Sequence, residues 1–141
     1  MKLATKPIIA SHSNCRALCD VPRNLTDDQL RAIRDVDGVV GLNSFKDFID
    51  PRGPEQTVEN LARHADHMIN VIGCGFDFFE FINDEAMGTM TEDSSPAAHG
   101  MKDASEIPNL FSCFEKMGMT KEEMDKIARV NFQNLVKRTI G

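Results

Sequence analysis

Three short apolar runs recur along the chain, each ending abruptly in a polar residue, and stretches of helical periodicity separate them. The runs are 7–10 (PIIA), 39–43 (VVGLN) and 74–78 (CGFDF), and their starts lie 32 and 35 residues apart. A continuous apolar run bounded by polar residues suits a strand buried on both faces, as in a parallel sheet. Pro7 fits the first position of such a strand, where a missing N–H does least harm. The intervening segments carry helix signals. Thr26 is an N-cap with Gln29 closing a capping box, Leu25 and Leu30 form a hydrophobic staple, and Asp27 and Asp28 favour the positive end of the dipole. Leu30, Ile33 and Val36 keep the helical period until Gly38, which is expected to stop it. Thr57 opens a helix expected to run to about Val71, Pro108 begins another that Gly118 ends, and Thr120 with Glu123 makes a second capping box before an amphipathic terminal helix.

Strands alternating with helices imply right-handed crossovers and a parallel sheet. A complete (β/α)8 barrel takes eight such units in about 250 residues. With 141 residues the chain supplies three, so the expected fold is α/β, a partial (β/α)8 TIM-type barrel followed by extra helices. The whole chain 1–141 then forms one partial domain. Segment 83–106, rich in Ser, Gly, Asp, Thr and Met, is too long for a simple connector and reads as a lid or site-covering loop.

Charge narrows the function. Sixteen basic residues against 22 acidic ones give a formal charge of -6, which argues against a nucleic-acid surface. No apolar run approaches membrane-spanning length, and the N-terminus lacks a signal-peptide core, so neither a membrane nor a secretory route is expected. Cys15, Cys19, Cys74 and Cys113 form no CxxC pair. They read as reduced, mostly buried thiols of a cytoplasmic protein.

The chemistry concentrates at the ends of the apolar runs. The first delivers Ser11-His12-Ser13, and Arg23 follows within a Pro-Arg-Asn turn. A neutral imidazole at a strand end suits metal ligation or proton carriage. An arginine offers a planar fork for a carboxylate or phosphate. Asn43 and Asp77 end the second and third runs, so His12, Asn43 and Asp77 all fall at the carboxyl ends of their strands, the catalytic face of barrel enzymes.

These residues carry a resemblance. PIIASHSNCRAL, PRNLTDDQLRAI, DGVVGLN, HADHM, GFDF, IPNL and ARVNFQNLVKR stand in order across nearly the whole chain, and together they resemble the C-terminal part of the membrane (renal-type) dipeptidase family of zinc metallopeptidases. The resemblance implies a barrel whose binuclear zinc centre hydrolyses dipeptides. It implies that His12 is the last histidine ligand of the zinc pair, that Arg23 grips the substrate's free carboxylate with Asn43 as a substrate-binding neighbour, and that Asp77 handles protons as the tetrahedral intermediate collapses. The family's other zinc ligands, an early His-x-Asp pair, a bridging glutamate and a further histidine, precede the region matched. One histidine cannot hold two zinc ions, so the resemblance implies a C-terminal fragment or truncated copy, inactive alone, associating with the missing N-terminal portion or with itself. At 70–74 the chain is several residues shorter than family members, and Ser44 replaces the aromatic that commonly follows the strand-two asparagine.

Plainer readings stand beside these. His64 and His67 share a helix face at i, i+3, yet the apolar stripe places the HADH cluster towards solvent. Met87, Met90, Met101, Met117, Met119 and Met124 read as gap-filling core and loop anchors, and His99 has no assigned role. Two other functions fit the sequence: a non-catalytic half-barrel interaction module, and a barrel metallohydrolase of the amidohydrolase type.

Overall fold

The computed structural model describes residues 4, 6–78 and 96–141. Its centre is a three-stranded parallel sheet in the order β1-β2-β3, made of Ile9–Ala10, Val39–Leu42 and Ile72–Cys74. Helix α1 (Asp27–Arg34) connects β1 to β2, and α2 (Val58–His67) connects β2 to β3. After β3 come α3 (Ile107–Lys116), then α4 (Lys121–Asp125), a single π turn (Lys126–Val130) and α5 (Asn131–Ile140) in unbroken succession. The architecture is mixed α/β with a parallel sheet, as the alternation of runs requires.

The anticipated caps are present. Thr26 and Gln29 close one capping box, Thr120 and Glu123 the other, and the Thr57 hydroxyl accepts from the Asn60 N–H. At the end of α1 the stop differs in detail. Asp37, not Gly38, takes the left-handed conformation (φ 57°), while Gly38 donates to Ile33 O. Gly38 is there for space, since a Cβ would lie 2.4 Å from Ile8 O. Gly118 (φ 82°) does take the left-handed cap after α3.

The third strand is displaced from its expected place. It occupies Ile72–Cys74 rather than 74–78, because α2 stops at His67 with Met68 as its cap. Val71 is thereby freed to accept from the Val40 N–H at 2.8 Å. Asp77 consequently lies beyond the strand, not at its last position. The core gathers beneath the sheet from Val40, Leu42, Ile49, Leu61, Ile72, Met101, Leu110, Phe114 and Ile127. Of the methionines, Met101 is fully buried, Met119 and Met124 pack against the core, Met117 is exposed, and Met87 and Met90 lie outside the described residues.

Segment 83–106 is described only from residue 96 onward. That part is tied down: Pro96 O accepts from Lys46 N–H, Ala98 N–H donates to Ser44 O, and His99 bonds backbone to Gln56 and Val58. The expected lid from 83 to 95 lies outside the described residues. Among the described residues no helix is long and apolar enough to cross a membrane.

Candidate functional site at the carboxyl ends of the strands

Two glycines allow the three strand ends to converge. A Cβ on Gly41 would lie 2.0 Å from Ser11 O, and one on Gly75 would lie 2.3 Å from the same oxygen and 2.7 Å from Gly41 Cα. With hydrogens there instead, Ser13 N–H reaches Gly41 O at 2.8 Å and Ser44 N–H reaches Phe76 O at 3.1 Å. Residues 11–13, 41–44 and 75–77 are thus laced along one rim.

His12 and Arg23 meet directly on that rim. Arg23 Nη2 lies 2.5 Å from His12 Nε2, and Ser11 Oγ lies 2.7 Å from His12 Nδ1. A guanidinium only donates, so Nε2 presents its lone pair and Nδ1 carries the proton, donated to Ser11. Arg23 is exposed, and among the described residues it forms no ion pair with a carboxylate. The fork is available to an external anion.

The loop carrying these two residues is anchored by buried side chains that sequence reasoning passed over. Asn14 binds both backbone groups of Asn43, donating Nδ2–H to its carbonyl at 3.0 Å and accepting its N–H at 3.0 Å. A side-chain amide here stands in for the next peptide of β1 and prolongs the ladder. Asn24 accepts the Asn14 N–H at 3.2 Å and donates to Cys19 O and Phe48 O at 2.9 and 2.8 Å. His64, placed towards solvent by its helical period, is 1 % exposed. It lies between two loops: Nδ1 accepts from Cys15 N–H at 3.1 Å, and Nε2 donates to Ile49 O at 2.9 Å. Burial lowers its pKa. Its neighbour His67 does face outward and bonds Asp27 at 2.8 Å. The signal that marks these anchors is polarity at positions whose neighbours are buried, which periodicity alone scores as surface.

Asn43 sits at the rim with one unmet donor. Its Oδ1 accepts from Phe45 N–H at 2.6 Å, which fixes the amide's orientation, and Nδ2 has no partner although the residue is 1 % exposed. A buried donor left unmet costs about 1–3 kcal/mol. Asp77 is exposed, one residue past Phe76, in the left-handed conformation (φ 59°). The structure therefore joins His12 to Arg23 by contact and Asn43 to their loop through Asn14. Asp77 shares the rim through Ser44 and Phe76, and no hydrogen bond links it to His12 or Arg23 among the described residues.

A zinc centre needs several protein ligands for each ion. Among the described residues no cluster of three or more His, Cys, Asp or Glu side chains could hold a metal, and both nitrogens of His12 are engaged by Ser11 and Arg23. The thiols offer no substitute. Burial pushes Cys15 up to about 12 and Cys74 up to about 11, and it also raises Cys19 and Cys113, so none gives a ready thiolate at neutral pH. The described residues do not by themselves fit a zinc centre.

Fold and rim define an α/β chain whose candidate site residues lie at the carboxyl ends of a parallel sheet, where α/β enzymes place their sites. The family is definite: residues 1–140 match the model of membrane dipeptidase, peptidase family M19, and the chain belongs to that family. An uncharacterised Klebsiella pneumoniae protein from the pqqA 5′ region is 35% identical over 95% of this chain and 47% of its own length. An uncharacterised dipeptidase of Schizosaccharomyces pombe is 29% identical over 99% of this chain and 32% of its own length. The crystal structure of a Rhodobacter sphaeroides metallopeptidase, liganded with a phosphinate mimic of the dipeptide L-Ala-D-Ala, superimposes with a TM-score of 0.77 at 31% identity, covering 98% of this chain and 38% of that one. The chain spans less than half the length of these relatives.

Proposed function

We propose that these residues form the C-terminal portion of a zinc-dependent dipeptidase, three βα units of a (β/α)8 barrel, and that the chain hydrolyses no dipeptide unaided. The observation that carries the reading is the Arg23 fork, held against His12 with no carboxylate of its own among the described residues. A guanidinium binds a carboxylate through two parallel charge-assisted hydrogen bonds, so Arg23 grips the free carboxylate of the dipeptide. The unmet Nδ2 of Asn43 on the same rim supports a second polar contact to substrate. His12 Nε2, which here accepts from Arg23, would give its lone pair to one zinc on release of that contact, with the remaining ligands supplied from the rest of a family chain. Asp77, exposed on the rim three residues beyond β3, passes a proton to the leaving amine. Four free cysteines, three of them buried and Cys74 exposed, suit a reducing, cytoplasmic location.

The test is hydrolysis of simple dipeptides by the full-length gene product and by residues 1–141 alone. Activity with bound zinc is expected from the former and none from the latter. In the active protein Arg23→Ala should raise KM about 10- to 100-fold, the scale set by losing a charge-assisted pair; an unchanged KM overturns the carboxylate role. A second reading, a non-catalytic half-barrel interaction module, is favoured by the misfit between the described residues and a metal centre. Under it, the full-length product is also inactive and zinc-free.

A further inference from the structure

Arg23 lies on an exposed turn, yet its backbone is fixed on both sides. On the near side Arg16 braces the turn, donating Nε–H to Val21 O at 3.2 Å and Nη2–H to Pro22 O at 2.7 Å. On the far side is Asn24, next in sequence and fully buried. Its N–H closes the turn onto Val21 O at 3.0 Å, and its side chain reaches Asn14 N–H, Cys19 O and Phe48 O. The Phe48 carbonyl also accepts from Asn14 at 3.3 Å, so the two amides converge on one oxygen. No strand pairing holds residues 20–24. Leu25, the next residue, is tied by backbone bonds to Asn14 O at 2.9 Å and Arg16 N–H at 2.8 Å, and between that bridge and Cys19 the position of the turn relative to His12 depends on these side-chain bonds.

We propose that Asn24 is the positioning residue that fixes Arg23 opposite His12, so that a buried amide sets the carboxylate affinity of the exposed rim. The inference rests on reading Arg23 as the carboxylate grip. A guanidinium fork is a directional recogniser, and a displacement near 1 Å at a binding group is enough to lose a bidentate geometry. Asn24 touches neither the anion nor His12. It acts through the chain direction it imposes on its neighbour.

The experiment uses the 141-residue chain with glycylglycine as the probe, by NMR. One readout is the Arg23–His12 contact, seen in the guanidinium and imidazole nitrogen signals; the other is the glycylglycine dissociation constant. Asn24→Ala should abolish the contact signature and weaken glycylglycine about tenfold, the change expected from about 1.4 kcal/mol of lost interaction. Asn131→Ala, which removes an amide donating to Ile72 O at 2.7 Å on β3, outside the loops that Asn14 and Asn24 join, should lower stability and leave both readouts unchanged. Asn24→Asp, isosteric and with Oδ1 still placed to accept from Asn14 N–H, reads out the loss of the two donated bonds should the alanine variant unfold. An intact contact and affinity in the Asn24 variants overturns the proposal. So does an equal loss in Asn131→Ala, which would reduce Asn24 to a general stabiliser. If the wild type ignores glycylglycine while the contact signature still depends on Asn24, the carboxylate reading fails and the positioning role stands.

Discussion

His64 shows how one titratable side chain can couple the rim to pH. Its Nδ1 must remain unprotonated to accept from Cys15 N–H, and Nε2–H is committed to Ile49 O. A proton on Nδ1 would face that N–H in a site from which water is excluded. Burial accordingly depresses the folded pKa below the ordinary 6.5. The unfolded chain then binds the proton first as pH falls, so the stability contributed by His64 is complete above about 6.5 and declines below it. The nearby Asp50 carboxyl, held down to about 2 by the Arg52 guanidinium, stays charged throughout that window and does not cause the decline. Urea unfolding at pH 7.5 and 5.5 should show a loss that is markedly smaller in His64→Ala, itself destabilised by about 2–4 kcal/mol at pH 7.5 through two orphaned backbone groups. Equal slopes in both proteins would remove His64 from the pH response. At Asp77 the left-handed backbone is one that asparagine also tolerates. Asp77→Asn therefore tests chemistry without strain, and under the proposed dipeptidase reading it should lower the kcat of the full-length product with KM and bound metal retained. Full activity there would take Asp77 out of the mechanism. The placement of His12 and Asn43 on the rim was readable because each follows an apolar run, and Arg23 stands in a Pro-Arg-Asn turn. His64 was not, because a polar residue on a helical wheel looks solvent-facing until two loops are known to fold over it.

At the scale of elements, local chemistry was legible and non-local space was not. Capping boxes are written in four consecutive residues, so Thr26 with Gln29 and Thr120 with Glu123 could be located from sequence alone. The third strand was misplaced because FDF has the aromatic character of a strand, while Val71 and Ile72 continue the apolar stripe of α2. What decides the register is the Val40–Val71 backbone bond and the close approach of Gly41 to Gly75, both of them contacts distant in sequence. The π turn at Lys126–Val130 is of the same kind: Cys74 Sγ lies 3.6 Å from Ile127 O, and Asn131 Nδ2 donates to Ile72 O at 2.7 Å, so the irregular turn follows the strand it packs on. Gly75→Ala tests the convergence. Its methyl would meet the Ser11 carbonyl and Gly41 Cα, both backbone atoms that cannot swing aside. Overpacking of this type costs about 1–3 kcal/mol, and the strain falls on the segment before His12. The variant should lose that much stability in denaturant and also lose the Arg23–His12 contact, whereas Gly53→Ala, with nothing within 4 Å of its Cβ, should change neither. Wild-type stability in Gly75→Ala would mean the three strand ends are not held together there.

At the scale of the whole molecule, the sheet among the described residues has three strands and two outer edges. Parallel sheets occur almost only with both faces covered and, in barrels, with no free edge. Here β1 and β3 are the outer strands. The β3 side is partly met by the π turn and Asn131, but on β1 Ile9 is 49% exposed. Phe132 and Ile140 on α5 add apolar surface at 50% and 80% exposure. Opposing association is the charge of -6, a long-range repulsion that salt reduces within a Debye length of about 8 Å at physiological ionic strength. Apolar burial is unaffected by that screening and contributes about 25 cal/mol per Å2 of apolar surface covered, offset in part by the cost of association. The free chain is therefore expected to sediment as a dimer or larger species, more so at higher salt. Supplying the N-terminal portion of a family member should shift it towards a one-to-one complex, since that partner offers strands for the open edge. A monodisperse monomer that unfolds cooperatively at all salt concentrations would show that the three-stranded unit is self-sufficient, and the partial-barrel reading would go with it.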